Sequence, residues 1–88
     1  MQQTSIDAYK ELTSLGLKQK IVYRAIKTLG TATDMDITRY LCFSDPNRVR
    51  PRRNELVKKG LVISAGKTVD SHTKKRVLVW KINALFFV

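Results

Sequence analysis

Apolar residues recur along this chain with two different periods, and the switch between them separates a helical first part from a β-rich end. Ile6, Tyr9 and Leu12 recur every three residues, which puts them on roughly one face of a helix over Ser5 to Ser14. Thr4 and Asp7 have capping-box-like spacing ahead of it, and Gly16 is placed to end it in a left-handed conformation. A second helix is predicted from about Lys18 to Leu29. Ile21, Ala25, Ile26 and Leu29 form its buried stripe, with Val22 beside it, and Lys18, Lys20, Arg24 and Lys27 make a solvated face. Gly30 stops it. A third helix begins after Thr33: Thr33 and Asp36 repeat the cap spacing, Asp34 and Asp36 suit the positive helix N-terminus, and Ile37, Tyr40 and Leu41 point inward. Thr31-Ala32-Thr33 supplies a one- or two-residue strand for pairing with a later hairpin.

Phe43-Ser44-Asp45-Pro46 reads as a turn. A fourth helix follows from Pro46 or Asn47 to Lys59, with its regular start at Asn47 or Arg48, Val49 and Leu56 as core positions, and Gly60 as its cap. Pro51 is tolerated only near the first turn, because the N–H groups there have no intrahelical partner. The period then changes to two. Leu61 to Ala65 forms one strand and Arg76 to Ile82 another, with Leu78, Trp80 and Ile82 on the inward face. The stretch between them, Gly66 to Lys75, is polar, basic and longer than the ~2–5 residues usual for a hairpin loop. The fold class is therefore α+β.

The chain of 88 residues is expected to form one domain, residues 1–88, with a single modest core. No run of ~18 apolar residues is present and the start lacks the features of a signal peptide, so a cytoplasmic, membrane-free protein is expected. One cysteine, Cys42, cannot form an internal disulfide; it and Tyr40 and Trp80 read as core. One histidine, His72, and one cysteine make no zinc site, and no phosphate-cradling glycine loop or catalytic constellation is visible. The expectation is no enzyme activity, no metal, no cofactor and no small-molecule ligand.

Charge changes the picture. Residues 1–45 hold six basic and five acidic groups, whereas residues 46–88 hold eleven basic and two acidic ones. Almost the whole excess of +10 lies in the second half, the footprint of a polyanionic partner. Its densest part is Asn47-Arg48-Val49-Arg50-Pro51-Arg52-Arg53-Asn54, on the fourth helix. Arginine reads guanine edges and grips phosphates, so nucleic-acid contact is favoured here over a solvated face. Arg53 shares the face of Val49 and Leu56. Its head is left to pair with Glu55, with an aspartate of the third helix, or with phosphate.

The order helix, helix, short strand, helix, helix, strand, loop, strand resembles a winged helix-turn-helix domain with one extra N-terminal helix. Thr33 to Ile37 resembles the opening of the first motif helix, Val49 to Val62 the recognition helix with its Gly-Leu-Val exit, and Val79-Trp80 the return strand of the wing. Residues 18–82 carry the likeness, which is nearest to small stand-alone winged-helix proteins of phages and mobile elements and more distant from MarR-like regulators. The resemblance implies a regulator that binds double-stranded DNA. Its recognition helix would present Asn47, Arg48, Arg50, Pro51, Arg52, Arg53 and Asn54 to the major groove, and its wing would lay Lys74, Lys75 and Arg76 on a backbone or minor groove. The alternative is a winged-helix interaction module that docks its basic face on an acidic protein. The apolar tail Leu85 to Val88, with the first helix, is expected to cover the core or form a homodimer.

Overall fold

The computed structural model describes residues 15–71 and 73–83. The predicted helix over Ser5 to Ser14, His72 and the apolar tail lie outside the described residues. Within them the molecule is a small α+β unit of three α-helices and a three-stranded antiparallel sheet. Helix α1 spans Leu17–Leu29, strand β1 Thr31–Ala32, helix α2 Asp34–Tyr40, helix α3 Arg50–Lys58, strand β2 Val62–Val69 and strand β3 Arg76–Ile82. No helix among the described residues is long and apolar enough to cross a membrane.

Helix α1 is amphipathic, but its buried face is rotated from the one expected. Val22, Tyr23, Ala25 and Ile26 are buried, while Ile21 and Leu29 are 36% and 38% exposed. The stripe was drawn one residue off because Tyr23 is amphipathic: its ring fills the core while its hydroxyl counts as polar in the pattern. Burial also raises the Tyr23 phenol above its ordinary 10.0. Helix α2 starts as expected. The Thr33 hydroxyl accepts from the Asp36 N–H at 3.1 Å, and Asp36 Oδ2 accepts from the Thr33 N–H at 3.1 Å, which pairs two donors that the first turn leaves unbonded.

The ends of α2 and α3 are closed by the same device. After α3, Gly60 at φ 81 lets its N–H reach the Val57 carbonyl and the Leu61 N–H reach the Leu56 carbonyl, both at 3.0 Å. After α2, Cys42 takes that place at φ 59: its N–H reaches Arg39 and the Phe43 N–H reaches Thr38. This corrects two expectations. Tyr40 is 49% exposed and Cys42 is exposed: α2 stops at Tyr40, and in the left-handed turn that follows it is Leu41 and Phe43 that pack against the core.

The fourth predicted helix also begins later than expected. Pro46–Arg48 is a separate 3-10 turn, introduced by Asp45, whose carboxylate accepts from the Asn47 N–H at 2.8 Å. The α-helix starts at Arg50, so Pro51 falls in its first turn, where its missing N–H costs nothing. Proline's tolerance of a helix start decided the boundary, three residues further along than Asn47.

In the sheet the strand order is β1-β3-β2. Thr31 lies opposite Lys81 and Ala32 opposite Trp80; on the other side Val62 faces Ile82 and Ser64 faces Trp80. A bulge between Ser64 and Gly66 then shifts the pairing by one residue, with Gly66 at φ 112. The first hairpin strand was expected to end at Ala65. Pairing instead runs to Val69, and the connection shortens to Asp70–Lys75. Asp70 closes it: its N–H donates to Lys75 O at 2.9 Å, its carbonyl accepts from Lys74 N, and its carboxylate accepts from Thr73 N, both at 2.8 Å. Trp80 and Ile82 are buried as expected. Leu78 is not; it is 41% exposed because the hairpin has by then run past the helices.

Ile26, Ile37, Val49, Leu56, Leu61 and Val62 make the centre of the core, each under 2% exposed. Every α-helix and the hairpin base contribute to it, so the arginine-bearing start of α3 is held on a packed platform.

Candidate nucleic-acid interface

Val49 and Leu56 fix the orientation of α3. Both are fully buried and lie on one side, about two turns apart, so the residues between them divide by geometry into an inner set and an outer set. Asn47, Arg48, Arg50, Pro51 and Asn54 are exposed; Arg52 and Arg53 are half-buried.

Arg53 is anchored. Its Nε and Nη2 donate to Asp34 Oδ1 and Oδ2 at 2.9 and 2.8 Å, a two-pronged pair, and its Nη1 donates to the Asn54 side chain. The guanidinium carbon also lies 4.3 Å from the centre of the Trp80 ring, within reach of a cation–π attraction. The Arg53 and Asp34 side chains are 13% and 16% exposed. Of the partners left open for Arg53 by the sequence, the structure selects the aspartate of the α2 start. One side chain thus ties the first turn of α2, the middle of α3 and strand β3 together.

Arg50 sits one turn earlier. Its Nε is 3.8 Å from Asp34 Oδ2, and half of its side chain is in solvent. Arg52 pairs with Glu55 at 3.2 Å, and the same Glu55 oxygen accepts from Gln19 Nε2 at 2.7 Å, which joins α1 to α3. Arg48 lies over the Phe43 ring, 4.9 Å from its centre.

The acidic groups near these arginines are therefore structural. Asp34, Asp45 and Glu55 each hold a backbone or side-chain donor of this corner in place. Two-pronged pairing and low exposure hold Arg53 firmly, whereas exposed pairs such as Arg39 with Asp36 contribute ~0–1 kcal/mol at most. Arg48 and Arg50 are held less firmly: Arg50 Nη1 donates to Asn47 Oδ1 at 3.5 Å beside its 3.8 Å approach to Asp34, and Arg48 stacks on Phe43.

Lys74, Lys75 and Arg76 are exposed at the far end of the hairpin, as is Lys67 on β2. The hairpin meets the arginine corner at its base, where Leu78 and Trp80 line a cleft of about 190 Å³ together with Asp34, Arg50 and Arg53. The structure gives no contact between the three hairpin-end cations and the α3 arginines. Lys67 was passed over in the sequence because it was placed in a loop; on a strand it is opposite Leu78 and shares that residue's side of the sheet. The sequence leaves an aspartate of the third helix among three partners for Arg53, and nothing in the pattern singles out Asp34 over Asp36, Glu55 or phosphate. Among the described residues no group of His, Cys, Asp and Glu is arranged to hold a metal.

The chain matches no protein-family model, and no curated protein resembles it at a significant level.

Proposed function

We propose that this chain is a winged helix-turn-helix protein that binds double-stranded DNA and acts as a regulator. In this reading α2 and α3 are the two motif helices, α3 and the 3-10 turn ahead of it enter the major groove with Asn47, Arg48, Arg50 and Asn54 toward base edges, and the β2–β3 hairpin is the wing. The observation that carries the proposal is the division of the arginines. Asp34 and Trp80 hold Arg53, while Arg50, half in solvent at the start of α3, and Arg48, on the 3-10 turn just before it, are exposed. A merely solvated face has no need of such a mount. A reader of base edges does, because two-pronged contacts tolerate little misplacement. The connectivity agrees: a short strand between the first two helices, which completes the hairpin sheet, is the arrangement a winged helix uses.

Arg52, half-buried on α3 and paired with Glu55, and the exposed hairpin cations Lys67, Lys74, Lys75 and Arg76 suit phosphate rather than base contact. The test is the salt dependence of binding to random-sequence duplex. About six phosphate contacts give a log–log slope near −5, at ~0.9 per contact, and a slope shallower than about −2 would refute the footprint.

A further inference from the structure

On the side of α3 away from Trp80, its first turn and the start of α1 enclose a groove of about 440 Å³. The floor is apolar: Leu17, 75% exposed, Ile21, 36% exposed, and Phe43. The rim is cationic: Lys18 from α1 and Arg48 and Arg52 from the α3 side. Among the described residues no carboxylate lines it. Glu55, the nearest acid of α3, is committed to Gln19 and Arg52.

This pairing of an uncovered apolar floor with a one-signed rim specifies an occupant. A phosphate backbone satisfies the cations but leaves Leu17 and Ile21 wet. An uncharged apolar segment covers the floor but buries Lys18 and Arg48 with no carboxylate to meet them, which is costly. The groove is walled by helices and offers no strand edge, so a partner cannot bind by strand addition. We infer that the groove docks an acidic amphipathic helix of another protein, whose apolar face covers Leu17, Ile21 and Phe43 while its carboxylates meet Lys18, Arg48 and Arg52. Because Arg48 and Arg52 belong also to the proposed DNA-binding surface, the docked helix and DNA exclude one another. This second half rests on the DNA-binding reading. The partner is then an antagonist: by occupying the groove it takes away two of the cations that α3 offers to DNA.

The probe is a synthetic helical peptide with leucines along one face and glutamates flanking them, labelled for fluorescence anisotropy and added to the full chain. Two controls carry serine for leucine or lysine for glutamate. The design peptide should bind at least about tenfold more tightly than either control. Leu17→Ser removes an exposed side chain and should weaken the peptide about tenfold while duplex binding stays within about twofold. Arg48→Ala should weaken both ligands, and duplex should displace the peptide.

Equal binding of the design peptide and the controls, or indifference of the peptide to Leu17→Ser, overturns the docking surface. So does an absence of peptide binding. A full chain that sediments as a dimer and becomes monomeric with Leu17→Ser shows that a second copy fills the groove, and likewise overturns it. A ternary complex of chain, peptide and duplex overturns the antagonism. If the peptide binds through Leu17 but duplex never binds, the docking surface stands and the DNA reading falls.

Discussion

Replacing Arg53 with alanine removes the tie between α2, α3 and β3, and its cost can be worked from the geometry. Loss of one partner of a well-buried ion pair costs ~3–5 kcal/mol, because the other charge is left stranded. Three features lower that figure here. Asp34 keeps 16% of its side chain in solvent, it occupies the first position of α2 where the helix N-terminus favours an anion, and Arg50 lies 3.8 Å away as a substitute. One feature raises it: the stacking on Trp80 at 4.3 Å, worth ~0.5–1 kcal/mol, is lost as well. The expected loss is roughly 2–3 kcal/mol, or a fall in Tm of roughly 10–20 °C for a domain of this size. Urea melts of Arg53→Ala, Asp34→Ala and the double variant form a cycle. The coupling should be about 1–2 kcal/mol, since the double variant leaves no stranded carboxylate. Additivity within about 0.5 kcal/mol would refute the reasoning, because the pair would then be a solvent-screened contact with no structural role.

Arg50→Ala should weaken the preferred duplex by about 1–3 kcal/mol more than random duplex, whereas Lys74→Ala should weaken both alike and make the salt slope shallower by about 1; identical behaviour in a gel-shift titration would reverse these roles. Cys42→Gly relieves a non-glycine residue at φ 59 and, after the added chain entropy of glycine, should raise stability by about 0.5–1 kcal/mol in a urea melt. Burial raises the Tyr23 phenol above 10.0, so the folded state disfavours the phenolate. Its contribution is intact below pH 10 and is lost as pH rises through the folded value, so Tyr23→Phe should lose less stability than the parent in melts above pH 10.

The parts of the fold that were legible in the sequence are those fixed by local chemistry. Thr33 and Asp36 marked a helix start through a pair of hydrogen bonds that need only three-residue spacing. The alternation from Arg76 to Ile82 bounded β3, and the short β1 strand fell where Thr31 and Ala32 had been placed. The errors lie where long-range geometry decides. Leu78 has the parity of Trp80, yet periodicity does not say how far the helices extend beneath a strand. Tyr40 and Cys42 were read as continuing the α2 face, but a left-handed residue leaves no signature unless it is glycine. The exposed arginines of α3 were legible as a cluster. The anchoring of Arg53 was legible only as one of three options, because no repeat connects residues nineteen apart and so nothing singled out Asp34.

The bulge beside Gly66 sets which way the hairpin shows its charge. Facing residues of an antiparallel pair share a side, and each step of register exchanges the sides. With the bulge, Lys67 lies opposite Leu78, on the side that carries Trp80 and faces the arginine corner. Deleting Ala65 would remove the bulge and leave Lys67 opposite Leu78; a ladder that kept Ala65 and paired it with Val79 would instead put Gly66 opposite Leu78 and turn Lys67 to the back of the sheet opposite Val77. The hairpin would keep its length, composition and net charge while presenting a different face to whatever α3 holds. Looping one residue out of the ladder thus acts as a polarity selector for the outer half of the hairpin, without touching the helices.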